Sequence, residues 1–142
     1  MNEVKWTDDL SVGVELIDDQ HKMLLKHLNH LTKAVEHQQG ATEIPNMLGF
    51  LIDYTDFHFS MEERNMSAHG YPDFEAHKAK HDEFKTILAD MESEFRDDGP
   101  TAILAESIDT LLVNWLLKHI RAVDTQFGAF LKNNGITISE EE

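Results

Sequence analysis

Residues 74–95, FEAHKAKHDEFKTILADMESEF, decide the fold. Phe74, His77, His81, Phe84, Leu88, Met91 and Phe95 follow one another at steps of three and four, the period of one helical face. The segment therefore predicts an amphipathic helix that carries two histidines among its core positions. Gly70-Tyr71-Pro72 before it and Asp98-Gly99-Pro100 after it are stop and start signals. They place the helix at about 72–96.

Working outward, similar patterns predict three more helices. Leu24, Leu28, Leu31 and Val35, with His21 in line, mark one at about 19–38, with Asp18 as its N-cap and Gln39-Gly40 as its end. Met47, Leu51, Tyr54, His58 and Met61 mark another at about 42–67, capped by Thr42, with Pro45 in its tolerant first turn. Leu104, Ile108, Leu111, Trp115 and His119 mark the last at about 101–132. Residues 1–17 lack helical period and read as an extended arm, and 133–142 read as a frayed or loosely packed tail. Short connections between long helices make the expected fold all-α: an antiparallel up-down-up-down four-helix bundle with an extended N-terminal arm, one domain spanning 1–142.

Composition narrows the partners. The 142 residues suit a single domain, and 41% hydrophobic with 27% charged is the profile of a globular one. Twenty-seven acids against twelve Lys plus Arg give a formal charge of −15, which repels nucleic acid and anionic lipid. There is no cysteine, so thiolate metal sites and iron–sulfur clusters are excluded. With no signal-like N-terminus and no apolar run of ~18 residues, the expectation is a cytoplasmic monomer without nucleic-acid partner or membrane insertion.

Imidazole and carboxylate must then do any metal work. His58 and Glu62 are four apart, as are His77 and His81, so each pair shares a helix face. In an antiparallel bundle these four, His119 and Asp124 fall in the same half, and His21 lies nearer the end. His27, His30 and His37 turn away from the apolar stripe of their helix, and His69 sits in a loop. Five core histidines among Leu, Met, Phe and Trp would each need a buried partner; one shared metal centre serves them all. His119 and Asp124 stand five apart, about 140° on an ideal helix, and converge only if the Asp reaches across or the helix is locally wider, as in a π-bulge. Glu63 is read as a solvated neighbour of Glu62. A zinc-protease reading of HKAKH fails because Lys78 stands where the general-base Glu is required.

IDDQH at 17–21, HFSMEE at 58–63, GYP at 70–72, HKAKH at 77–81 and HIRAVD at 119–124 resemble the motifs of the hemerythrin family in its single-domain bacterial form, over nearly the whole chain. The resemblance implies a left-handed four-helix bundle with two iron ions (Fe2+/Fe3+) under a bridging oxo or hydroxo group, binding molecular oxygen reversibly for transport, storage or delivery. By resemblance His77, His81 and His119 complete one iron, His21 and His58 hold the other, and Glu62 and Asp124 bridge. Eleven of the twelve positions of two octahedra are then filled, and one stays open. The resemblance also implies an oxygen pocket drawn from Leu24, Phe59, Phe84, Trp115, Leu116 and Ile120, and the recipient of released oxygen is expected to be an oxygen-consuming enzyme. Carriage is favoured over catalysis because no Glu stands three residues before any His, unlike the ferritin-like di-iron proteins. The alternatives are an oxygen or redox sensor, or a di-iron enzyme that reduces peroxide or nitric oxide.

Overall fold

The computed structural model describes residues 4–37 and 43–138. Gln39-Gly40 and Thr42, assigned above as a helix end and a cap, lie outside the described residues. So does 139–142 of the tail. Four helices form a bundle, and no strand occurs among the described residues. They are α1 (Glu15–Glu36), α2 (Glu43–Ala68), α3 (Phe74–Asp98) and α4 (residues 102–133).

Apolar spacing builds the core as expected in α1 and α3: Leu24, Leu28, Leu31 and Val35 of α1, and Phe84, Leu88 and Met91 of α3, are buried. Thr101 caps α4 by accepting the Leu104 N–H at 3.0 Å. Gly99 closes α3 at a φ of +74°, which favours glycine, and its N–H reaches the Phe95 carbonyl at 2.8 Å.

Two expectations for the N-terminal segment are corrected. Helix α1 begins at Glu15, not Asp19, and Asp18 does not cap it. Instead Asp18 accepts hydrogen bonds from the Val12 N–H at 2.9 Å and the Ser11 hydroxyl at 2.5 Å, pinning the arm to the first turn. The earlier start also carries His21 deeper into the bundle. The arm includes a short 3-10 turn (Asp8–Leu10) and presses so closely on α4 that a Cβ at Gly128 would overlap the Val12 carbonyl oxygen. At the other end, Ile136 and Ile138 pack against the core, so this part of the tail is not frayed.

Helix α4 departs most from the expected period. It contains two π segments, Ile108–Val113 and Ile120–Asp124, between α-helical stretches. Leu111, expected in the core, is 49% exposed, and Leu112 is buried in its place. The buried line is Leu104, Ile108, Leu112, Leu116, Ile120 and Asp124, at uniform steps of four. Five α turns take about 18 residues, whereas Leu104 to Asp124 takes 20. Each π turn absorbs one extra residue, so the two together keep the whole line facing the core.

Candidate metal centre

The seven residues picked from sequence converge in the interior. His21 comes from α1, His58 and Glu62 from α2, His77 and His81 from α3, and His119 and Asp124 from α4, all buried. The second π segment spans the step from His119 to Asp124 and brings both onto one face. In contrast, His30, His37 and His69 are exposed and His27 is half-buried.

The ligand-capable atoms fall into two groups. One nitrogen from each of His77, His81 and His119 and one oxygen of Asp124 lie within 4.8 Å of one another, and so do such atoms of His21, His58 and Glu62. The carboxylates tie the groups together. Asp124 Oδ1 is 2.9 Å from His77 Nε2 and 3.0 Å from His119 Nε2, while its Oδ2 is 3.0 Å from His21 Nε2. Glu62 Oε1 is 3.5 Å from His58 Nε2 and 3.2 Å from His81 Nε2.

These contacts have the distances of ion pairs but not the directionality of hydrogen bonds. All five Nε2 atoms and all four carboxylate oxygens are buried without a hydrogen-bond partner. Desolvating that many polar atoms costs several kcal/mol unless something satisfies them together. Metal ions do so, since they accept lone pairs from neutral imidazole and carboxylate alike. The donor set fits a pair of metals.

Two outer partners fix the imidazoles. Gln20 Oε1 accepts from His58 Nδ1 at 2.5 Å, and Glu63 Oε2 accepts from His81 Nδ1 at 2.8 Å. Each bond places the proton on Nδ1 and leaves Nε2 free as a ligand. Glu63 is thus not a merely solvated neighbour. Its facing onto α3 could not be read from spacing, and both residues were visible only as members of motifs, Glu63 of HFSMEE and Gln20 of IDDQH.

Charges follow these contacts. Burial, reinforced by neighbouring His21, brings the His58 imidazole down to about 4 against the pull of Glu62. His81 is also disfavoured by burial, yet Glu62 and Glu63 carry it up to about 9. Asp124 is pushed up by burial but held well below the usual carboxylate range by His119, His21 and His77.

Apolar and aromatic side chains wall the centre. Leu24, Phe59, Phe84, Leu116 and Ile120 are buried. Phe59 lies flat on the His81 ring, centroids 3.8 Å apart and planes at 4°. Trp115 lies flat on His119 at 4.5 Å and 13°, is itself half-buried, and donates its indole N–H to Glu83 at 2.8 Å. It borders a surface cleft of about 280 Å³ with Lys80 and Lys118, so its ring stands at the rim between solvent and the ligands.

Comparison with known proteins agrees with this geometry. The family model described as hemerythrin HHE cation binding domain matches residues 12–131. The chain is 36% identical to a bacteriohemerythrin of Methylococcus capsulatus, over 89% of this chain and 95% of that one. It is 34% identical to a bacteriohemerythrin of Stenotrophomonas maltophilia, over 89% and 80%. Among solved structures, a crystal structure of wild-type hemerythrin superposes with a TM-score of 0.79 at 34% identity, covering 90% of this chain and 97% of that one.

Proposed function

This chain belongs to the hemerythrin family, and we propose that it binds molecular oxygen reversibly at a non-haem di-iron centre held by His21, His58, Glu62, His77, His81, His119 and Asp124. The observation that carries this reading is the convergence of five Nε2 atoms and four carboxylate oxygens, all buried and all without hydrogen-bond partners. In this reading His77, His81 and His119 serve one metal, His21 and His58 the other, and Glu62 and Asp124 both. With fewer protein donors, the two-histidine side would be the one left for oxygen.

The chemistry that the metals supply when bound is reversible transfer of one electron each to oxygen. The protein's task is to hold the ligands and keep the gap dry. Gln20 and Glu63 hold His58 and His81 in the ligating tautomer. Phe59 and Trp115, stacked on His81 and His119, restrict the rotation of those rings. Leu24, Phe84, Leu116 and Ile120 are buried and offer only hydrocarbon surface, which hinders the entry of water and protons. An imidazole-rich, carboxylate-poor shell in a dry pocket favours carriage over oxidation chemistry.

Among the described residues, no helix is long and apolar enough to cross a membrane. Cytoplasmic oxygen storage, or delivery to an oxygen-consuming enzyme, is the use we propose. The test is to expose the ferrous-loaded protein to oxygen and then purge it. A visible absorption band should appear with oxygen, vanish on purging and return over many cycles. A band that survives purging, or none at all, overturns the proposal.

A further inference from the structure

Thr55 of α2 carries a hydroxyl that no group of the protein satisfies. The residue is 1% exposed, and its Oγ1 is buried without a hydrogen-bond partner. Other helical threonines avoid this state. Thr86, Thr110 and Thr125 each donate to the backbone carbonyl four residues earlier, at 3.0, 2.9 and 2.7 Å. A buried hydroxyl left unpaired is destabilising, so Thr55 is suited to a partner that the chain itself does not supply.

Its place is beside the two-histidine group. The His21 and His58 rings lie 5.0 Å apart and those of His27 and Tyr54 5.6 Å apart, so α1 and α2 run in opposite directions with these pairs level. One turn beyond His21 on α1 stands Leu24, and one turn before His58 on α2 stands Thr55, each about 4.5 Å along its axis. These two therefore meet in the next layer of the bundle. Around α2, Thr55 lies about 20° from Glu62 and about 40° from Phe59, on the face that carries the ligands. Among the described residues, the buried polar side chains other than the seven of the metal centre are Gln20, Thr32 and Thr55. Gln20 is bonded to His58, and Thr32 is eleven residues beyond His21, about 16 Å along α1. That leaves Thr55 as the polar group of the layer formed with Leu24 and Phe59.

We propose that the Thr55 hydroxyl donates a hydrogen bond to the oxygen held on the two-histidine side and so sets how long it stays. The inference rests on the oxygen-binding reading above and adds to it a residue that determines affinity. A threonine hydroxyl turns about its C–O bond and donates to whichever acceptor comes within reach. Oxygen that has drawn electron density from the metals is a stronger acceptor than free oxygen. The bond therefore opposes release and leaves entry unaffected. A diatomic ligand that gains little negative charge would benefit less, so the same hydroxyl favours oxygen over such competitors.

Stopped-flow measurement of oxygen binding and release by the iron-loaded chain tests this with Thr55→Val, which removes the hydroxyl and keeps the branched shape, and Thr55→Ser, which keeps the hydroxyl. Thr55→Val should release oxygen about fivefold faster, the effect of one neutral hydrogen bond, with an association rate within about twofold of the wild type. Thr55→Ser should release it at a rate within about twofold of the wild type. The metal-free chain gives an independent reading. Because the hydroxyl bonds nothing in the protein, metal-free Thr55→Val should resist urea at least as well as the wild type, whereas a hydroxyl bonded to the Leu51 carbonyl would make it weaker. An unchanged release rate in Thr55→Val, association and release altered together, or a metal-free Thr55→Val less stable than the wild type overturns the assignment. A wild type with no oxygen-dependent band overturns the oxygen-binding reading and this inference with it; normal oxygenation that Thr55→Val leaves untouched removes the inference alone.

Discussion

Replacing Glu63 with Gln removes one negative charge and almost no volume at a single contact. The carboxylate accepts from His81 Nδ1 at 2.8 Å and is 16% exposed. A charge-assisted bond of this kind contributes about 1.5–3 kcal/mol, and a neutral amide retains part of it. Loss of an outer partner of a metal-bound histidine typically costs ~10- to 100-fold in affinity, and partial exposure places Glu63→Gln near the lower figure. Competition of ferrous iron against a calibrated chelator, fitted as two binding steps, reads the effect. The step assigned to His77, His81 and His119 should weaken about tenfold, while the step assigned to His21 and His58 moves little. Gln20→Ala, acting through His58, should give the reverse pattern. Unchanged affinity in both steps for Glu63→Gln, or equal weakening of the two, would refute outer-partner control of His81.

Further outcomes follow from burial and charge. Leu116→Ala opens space beside the ligands at a fully buried position, so the oxygenated form should autoxidise faster, at a stability cost of about 2–5 kcal/mol; an unchanged decay rate of the oxygen-dependent band rejects Leu116 as a guard of the pocket. The metal-free protein should be most stable near pH 6.5. His58, lowered from 6.5 to about 4, resists protonation in the folded state, so stability falls as pH drops from 6.5 towards 4, by about 3 kcal/mol. His81, raised from 6.5 to about 9, contributes stability that is complete below 6.5 and lost as pH rises through 9, again about 3 kcal/mol. Urea denaturation of the metal-free chain across pH 4–9 measures both limbs, and a flat profile would contradict them.

What could be read from sequence divides along physical lines. The stripes of α1 and α3 were legible because each keeps an uninterrupted α period, and that period also separated His21 from His30 and His37. The four-residue pairs of α2 and α3 marked buried candidate ligands for the same reason. Helix α4 was harder. The five-residue step from His119 to Asp124 admitted a π-bulge, which the structure contains, but the bulge at Ile108–Val113 was missed because Leu111 and Leu112 satisfy either register. Asp18 misled because an acid just before an apolar stripe looks like a cap, whereas its partners Ser11 and Val12 come from a non-helical arm that sequence period does not place. Glu63 was missed because its role depends on the facing of α2 against α3.

The central claim is that seven side chains from four helices hold two metals, and metal stoichiometry addresses it most directly. Protein loaded anaerobically with ferrous iron and freed of excess should carry two irons per chain, falling to one or fewer in His58→Ala, which removes a ligand from the two-histidine group. One iron per wild-type chain, or two irons undiminished in His58→Ala, would contradict it.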